Sequence, residues 1–415
     1  MKTWTMVLLI GSHLLTARFI NWIKVEQGDC IEMLRVREEE RMERVRQRCQ
    51  ITLRQIEQND PTLKKLHISS RDIDVADHSV DVFLSHNRAD FARLGEAVGN
   101  NTHLESVSYC EGDHSRIPQA LELAIASSTV FFEGLKRNAS IRELKLSYCD
   151  LSDGAGRGIL TAFQENSSSI THISLNLCGL GNGVSDVLAS TLRSCINVEE
   201  ISLLCSNIGD DILENLIPSV RGNRQLKELC LASNNIGRAG CEALASLLEE
   251  PSCNLRILSL HNNPIDDDCA TVLANAMKNN NKLESIFFPA SNTHYRSAWD
   301  AFSKALCDTS STNDIYLSNH TLRYIGGQLP QSLVHLRSMN YDTNKKQVAM
   351  KKILRYHGHF NMEPFFEWDM AMLPTVINWF HRATACTRGD EARRVNVRRL
   401  DAIYQFIRAM PDTFD

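Results

Sequence analysis

The chain has 415 residues, of which 43% are apolar and 23% charged, with a formal net charge of −5. That balance describes a folded protein with no long-range attraction to nucleic acid, and the length exceeds one simple core while suiting a stack of repeats. Thirteen cysteines in a chain this long, an odd number, do not form a disulfide framework and point to a reducing compartment.

The first 30 residues contain Lys2 followed by the apolar run MVLLIGSHLLTA, which has the length of a secretory signal. Ser12 and His13 interrupt it, Leu15 stands where a small residue is expected before Ala17, and Arg18 follows too soon for a membrane span. The expectation is a cytoplasmic protein with no membrane contact; secretion is the alternative. Only in that case do the sequons at Asn100, Asn138, Asn166 and Asn319 matter.

Residues 31–60 form a predicted capping helix. IEMLRVREEERMERVRQRCQITLRQIE places Leu34, Val45, Ile51 and Leu53 among charges, holds no heptad, and stops at Asp60-Pro61.

From 61 onward the chain repeats. In LKELCLASNNIGRAGCEALASLL (226–248), Leu226, Leu229 and Leu231 read as a short strand, Asn234, Asn235 and Gly237 as a break, and Leu244 and Leu248 as one side of a helix. The leading residue recurs as Ile141, Ile170, Val198, Leu226, Leu255, Leu283 and Thr312, at spacings of 29, 28, 28, 29, 28 and 29. Three residues on stand Leu144, Ile173, Ile201, Leu229, Leu258, Ile286 and Ile315. Five on stand Leu146, Leu175, Leu203, Leu231, Leu260, Phe288 and Leu317. Ten on come Leu151, Leu180, Ile208, Ile236, Ile265, Thr293 and Leu322, and eighteen on come Ile159, Leu188, Leu216, Leu244 and Leu273. Two irregular units precede these, starting at Leu63, Leu66, Ile68, Ile73 and at Leu104, Val107, Tyr109, with inserted loops such as DVADHSVDVFLSHNRAD. A unit this short cannot bury its own apolar face and needs neighbours.

Period and columns resemble the ribonuclease-inhibitor type of leucine-rich repeat. That resemblance implies an α/β fold: a right-handed solenoid, or horseshoe, over 61–322, with a parallel inner sheet, outer helices and helical caps at both ends. The whole chain is also similar to algal leucine-rich-repeat proteins with a helical tail. In the family, the residue eight past the leading position points inward and bonds neighbouring loops. Here Asn234 and Asn263 stand there, and Cys149 and Cys178 are small thiols that fill the same slot. Those two, with Cys230 and Cys241, are expected to be reduced.

Residues 323–415 make the predicted C-terminal cap. From about 340, KKQVAMKKILRYH, MEPFFEWDMAMLPTVINWFHRA and RRLDAIYQFIRAMPDTF read as three helices, with Phe365, Phe366, Trp368, Trp379, Phe380, Tyr404 and Phe406 packing on one another.

Signals for chemistry are weak. No phosphate loop, Cys-x-x-Cys or His-Glu-x-x-His occurs. His357 and His359, one residue apart, point to different faces of a helix and make no ligand pair. Asp266, Asp267 and Asp268 precede a helix and serve its N-terminus rather than calcium. Arg393, Arg394, Arg398 and Arg399 lie among Asp390, Glu391 and Asp401, a solvated face. The reading is a non-enzyme without cofactor or metal.

What remains is the strand face implied to be concave. Two past the leading position lie Glu143, His172, Glu200, Glu228, Ile257 and Ser285; four past lie Lys145, Ser174, Ser202, Cys230, Ser259 and Phe287; six past, Ser147, Asn176, Leu204, Ala232, His261 and Pro289. Small residues floor a trough flanked by glutamates, with Phe287 and His261 at one end. The candidate partner site is thus Glu143, Lys145, His172, Ser174, Asn176, Glu200, Ser202, Glu228, Cys230, Ser259, His261 and Phe287. It suits a protein partner with a basic surface. The expected role is a scaffold or adaptor; the alternative, an activator of a small GTPase, fits less well with the weakly acidic end RAMPDTFD.

Overall fold

A computed structural model describes residues 46–69, parts of 35–44, and 81–83, 88–110, 129–148, 154–165, 169–180, 182–289, 295–342 and 344–356. The chain divides into two compact units, Met1–Gly134 and Leu135–Asp415.

In the first unit, helix α1 (46–57) buries Cys49, Thr52, Leu53 and Ile56, an i, i+3, i+4, i+7 face. Ile51, expected on that face, is 57% exposed; it sits between the buried positions of the 3.6 period. Asp60 closes the helix end by accepting from the Thr62 backbone N–H (2.8 Å) and hydroxyl (2.7 Å). Strands β1 (Lys65–Ser69), β2 (Asp81–Phe83) and β3 (Ser106–Cys110) pair in parallel, with β1 between the other two. The stretch expected to be only an inserted loop therefore contains a strand, β2. Helix α2 (Arg88–Asn100) leads to β3, and α3 (Thr129–Arg137) crosses α2 with Gly95 and Gly134 in contact: a Cβ built on Gly134 would lie 1.8 Å from the Gly95 carbonyl oxygen.

The second unit repeats strand, turn and helix: β4 (Glu143–Ser147), α4 (Gly154–Glu165), β5 (His172–Asn176), α5 (Asn182–Ser194), β6 (Glu200–Ser202), α6 (Asp210–Val220), β7 (Glu228–Cys230), α7 (Arg238–Leu248), β8 (Ile257–Ser259), α8 (Asp267–Ala276), β9 (Ser285–Phe287) and α9 (Ser297–Leu306). The strands from β4 on are parallel neighbours in chain order, each repeat adding one edge for the next, as in leucine-rich-repeat solenoids. Register is exact in sequence terms: Glu143, His172, Glu200, Glu228, Ile257 and Ser285 stand opposite one another. All six leading residues from Ile141 to Leu283 are at most 3% exposed, and the columns three and five past are likewise buried.

The seventh copy lies elsewhere than the spacing predicts. Thr312–Leu317 is helix α10, started by Ser311, whose hydroxyl accepts from the Asp314 backbone N–H (3.1 Å). Leu317, expected in the core, is 60% exposed. The true leading residue is Leu322, 39 positions after Leu283, and strand β10 (Tyr324–Ile325) pairs Tyr324 with Ser285. Helix α11 (Gln331–Met339) completes that repeat, so the repeating part runs past 322. Helix α12 (Lys345–Tyr356) packs on α10 and α11. The other two predicted C-terminal helices lie outside the described residues.

Two polar ladders hold the loops. At eight past the leading position, Asn234 Nδ2 donates to the carbonyls of Leu203 (2.7 Å), Leu231 (3.0 Å) and Ala232 (3.1 Å), while its Oδ1 accepts from Ser206 N and Ile208 N, both 3.0 Å. Asn263 repeats the pattern, Ser206 substitutes a hydroxyl, and the Cys178 thiol donates to Leu146 O (3.5 Å). Cys149 lies outside the described residues. The preceding position is left-handed in five successive repeats: Tyr148, Leu177, Cys205, Ser233 and Asn262 have φ between 53° and 58°. A second ladder stands three before the leading residue, where Asn101, Asn223, Asn280 and Asn319 donate to carbonyls of the preceding repeat. Sequence reading missed it.

Candidate functional site

The face of the second unit's sheet turned from its core presents alternate strand residues, because Leu144, Ile173, Ile201, Leu229, Leu258 and Ile286 point the other way. Ser174, Ser202, Cys230, Ser259 and Phe287 are half-buried along one column, each facing the next across the parallel register. Four of these five are small, so the middle of the face is low.

The three glutamates differ. Glu143 is held by Lys145 at 2.6 Å, which neutralises that end. Glu200 faces His172, with Nε2 3.9 Å from its carboxylate, and His172 Nδ1 bonds the Thr171 hydroxyl at 2.8 Å. Glu228 is exposed and forms no ion pair among the described residues. Acidic character therefore centres on β6 and β7 rather than on the whole flank. Asn176, named as a contact residue, also has structural work: its Oδ1 accepts from the Ser202 hydroxyl (2.7 Å) and Leu204 N (3.0 Å). Ser259 and His261 are hydrogen-bonded to each other at 3.0 Å. Ala232 and Pro289, expected to face outward six past the leading residue, are buried.

Two features of this face escaped sequence reasoning. The first is the column one past the leading residue: Arg142, Thr171, Glu199, Lys227, Arg256, Glu284, Arg323. Lys227 binds Glu199 at 2.6 Å, and Glu284 lies 3.9 Å from Arg256 and 3.7 Å from Arg323. The hydrogen bond from Lys227 holds the Glu199 carboxyl below the usual range. Alternating charge in that column was the available signal. The second is Tyr324, hidden by the misplaced seventh copy. Its ring centroid is 4.6 Å from that of Phe287, and the Arg337 guanidinium from α11 lies over it at 5.6 Å.

The three aspartates stand at the start of α8, Asp266 as its N-cap and Asp267 and Asp268 in its first turn. Asp266 caps α8 by accepting from Cys269 N (2.8 Å), and hydrogen bonds from Cys269 lower its carboxyl. Asp267 accepts from Ser297 N (2.9 Å) and Ala298 N (2.8 Å) at the start of α9, one repeat onward. No group of three or more His, Cys, Asp or Glu is placed to hold a metal among the described residues. His357, His359 and the arginine run 393–399 fall outside them. Asn138 and Asn319, two of the four sequons, are 1% and 2% exposed and hydrogen-bonded in the loop ladder, so the folded chain cannot offer them to a glycan.

Cys195, Cys205, Cys230, Cys241, Cys253, Cys269 and Cys307 carry free thiols, and burial pushes Cys195 up to about 12 and Cys307 to about 11. No described helix is long and apolar enough to cross a membrane.

No family model matches the chain, and no curated protein is similar to it in sequence. Among solved structures, Leiomodin-1 actin-binding site 2 aligns at 14% identity and a TM-score of 0.26, over 48% of this chain and 91% of that one. An internalin from Listeria monocytogenes aligns at 14% identity and 0.25, over 53% and 76%. Likenesses at this level carry no functional argument.

Proposed function

We propose that the protein is a non-catalytic scaffold of the leucine-rich-repeat class, of right-handed ribonuclease-inhibitor type, that binds a protein partner on the strand face of its second unit. One observation carries this reading. A low, half-buried column from Ser174 to Ser259 runs beside a carboxylate pair, Glu200 and Glu228, and ends at an aromatic pair, Phe287 and Tyr324. A basic partner surface gains rate and selectivity from the carboxylates, and an aromatic cluster supplies an energetic anchor. Thiols outside any disulfide among the described residues, such as Cys195, Cys241 and Cys307, and the two buried sequons support a reducing, cytoplasmic setting.

The test is capture with the full chain, comparing wild type with Glu200→Lys/Glu228→Lys. Partners should be lost while the melting temperature stays unchanged, since both side chains are solvent-facing. Recovery of the same proteins at the same yield would move the binding surface elsewhere.

A further inference from the structure

We infer that the partner presents an extended segment in which a basic side chain and a large apolar side chain lie four residues apart, the first at Glu228 and the second on Tyr324. The inference rests on the strand-face reading above and adds the chemistry and spacing of what binds there.

Glu143 and Glu199 already hold lysines, Lys145 and Lys227, each at 2.6 Å. Among the described residues, Glu200 and Glu228, opposite each other on neighbouring strands, are strand-face carboxylates that no lysine or arginine holds. The apolar station is Tyr324, 40% exposed and in tilted ring contact with Phe287. Arg337 over its ring keeps a second cation from settling there, so the two stations cannot exchange ligands.

Spacing follows from the sheet. Glu228, Ile257, Ser285 and Tyr324 occupy one row on four adjacent strands. Three strand steps of about 4.8 Å make about 14 Å between the stations. An extended chain advances about 3.3 Å per residue, so four residues span about 13 Å, and residues i and i+4 project to the same side. The side chain at i+2 then lies over the half-buried row positions Ile257 and Ser285, between the two stations. A helical segment would need about nine residues for the same span.

The experiment uses synthetic decapeptides, Gly/Ser throughout except for one Arg and one Phe, in both orders and with the second placed two to seven positions after the first. Fluorescence polarisation against the full chain measures binding. Affinity should peak at a separation of four, about fivefold above two or six, the effect of one favourable contact of about 1 kcal/mol. Glu228→Gln should abolish the preference for Arg over Gln in the peptide, and Tyr324→Ser the preference for Phe over Ser, with both variants melting as wild type. A flat dependence on separation, or a peak that survives both variants, overturns the inference. So does sedimentation showing a dimer that Glu228→Gln disperses, since a second copy would then occupy the face. If no peptide binds but captured partners are still lost in Glu200→Lys/Glu228→Lys, the extended segment is wrong and the strand-face reading stands. If capture too is unchanged, both fall.

Discussion

Lys352 on α12 is completely buried, and no salt bridge from it occurs among the described residues. Its Nζ donates to the carbonyl of Leu306 at the end of α9 (2.6 Å) and to Asn319 O (3.0 Å), and lies 3.1 Å from His320 Nδ1. Two forces oppose each other there. Burial pulls the ammonium down from the ordinary 10.5 to about 7, while the nearby Cys307 acts slightly the other way. The ring of His320 is held near 4 by burial first and by the Lys352 charge second, so it is neutral at pH 7; its Nε2, 3.1 Å from Tyr316 O, keeps the proton and Nδ1 presents a lone pair. Three acceptors match the three protons of an ammonium. With a folded value of about 7 against 10.5 unfolded, the unfolded chain binds more protons between those limits. Stability contributed by Lys352 is therefore lowest below pH 7 and rises with pH toward 10.5. The full shift is worth about 5 kcal/mol, of which about 2 kcal/mol falls between pH 7 and 9. Urea unfolding of wild type and Lys352→Met at pH 7, 8 and 9 isolates it, because the other titrating groups are common to both. Wild type should gain about 2 kcal/mol on the variant across that range. A difference that does not change with pH would mean the three acceptors hold the ammonium charged, and the argument from burial would fail.

Asn234→Ala removes the amide that serves five backbone groups in two repeats and should cost about 3 kcal/mol in chemical denaturation, through buried carbonyls and N–H groups left unpaired. Gly134→Ala should cost about 3 kcal/mol or more, since its methyl would overlap the Gly95 carbonyl; circular dichroism melting measures it. Cys205→Asn should raise stability by about 0.5–1 kcal/mol, because this exposed residue sits at φ 53°, a conformation that Asn tolerates better and that Asn262 already adopts two repeats on. Alkylation of native, unreduced protein followed by mass spectrometry should find Cys178, Cys230 and Cys241 as thiols; a disulfide between any two would overturn the reducing-compartment placement.

The repeat was legible because burial imposes it. A residue such as Leu229 or Leu258 must be apolar at a fixed interval or the unit has no neighbour to pack on, so the columns survive in the sequence. The asparagine ladder at Asn234 and Asn263 was legible through the leucine-rich-repeat resemblance. The ladder at Asn101, Asn223, Asn280 and Asn319 is hidden in the sequence because Ser167, Cys195 and Ser252 interrupt its column. Failure came where local chemistry beat the period. Ser311 and Asp314 make a good helix start, and an inserted helix with one buried residue, Ile315, keeps the apolar count while shifting the strand to Tyr324. In β2, three residues at a sheet edge leave too short a pattern to tell from a loop.

That single misplacement mattered most for the strand face. With the seventh copy at Thr312, the column of Glu143, Glu228 and Ser285 ends at β9, and Phe287 stands as a lone half-buried aromatic. With β10 in its true register, Tyr324 completes the row and Arg337 arrives from α11 to lie on it. An aromatic pair crowned by a guanidinium is a different surface from one phenyl ring: it has more apolar area and it repels cations. The acidic end contracts as well, since Lys145 neutralises Glu143 and leaves Glu200 and Glu228. The charge of this face is thus decided by which side chains already hold partners, information that depends on pairing across strands and is absent from any one repeat. It follows that Glu143→Lys should change capture far less than Glu228→Lys, although the two residues occupy equivalent positions in the sequence. Equal losses in a side-by-side pulldown would show that the pairing with Lys145 does not shield Glu143, and that the sequence column alone sets the charge of the surface.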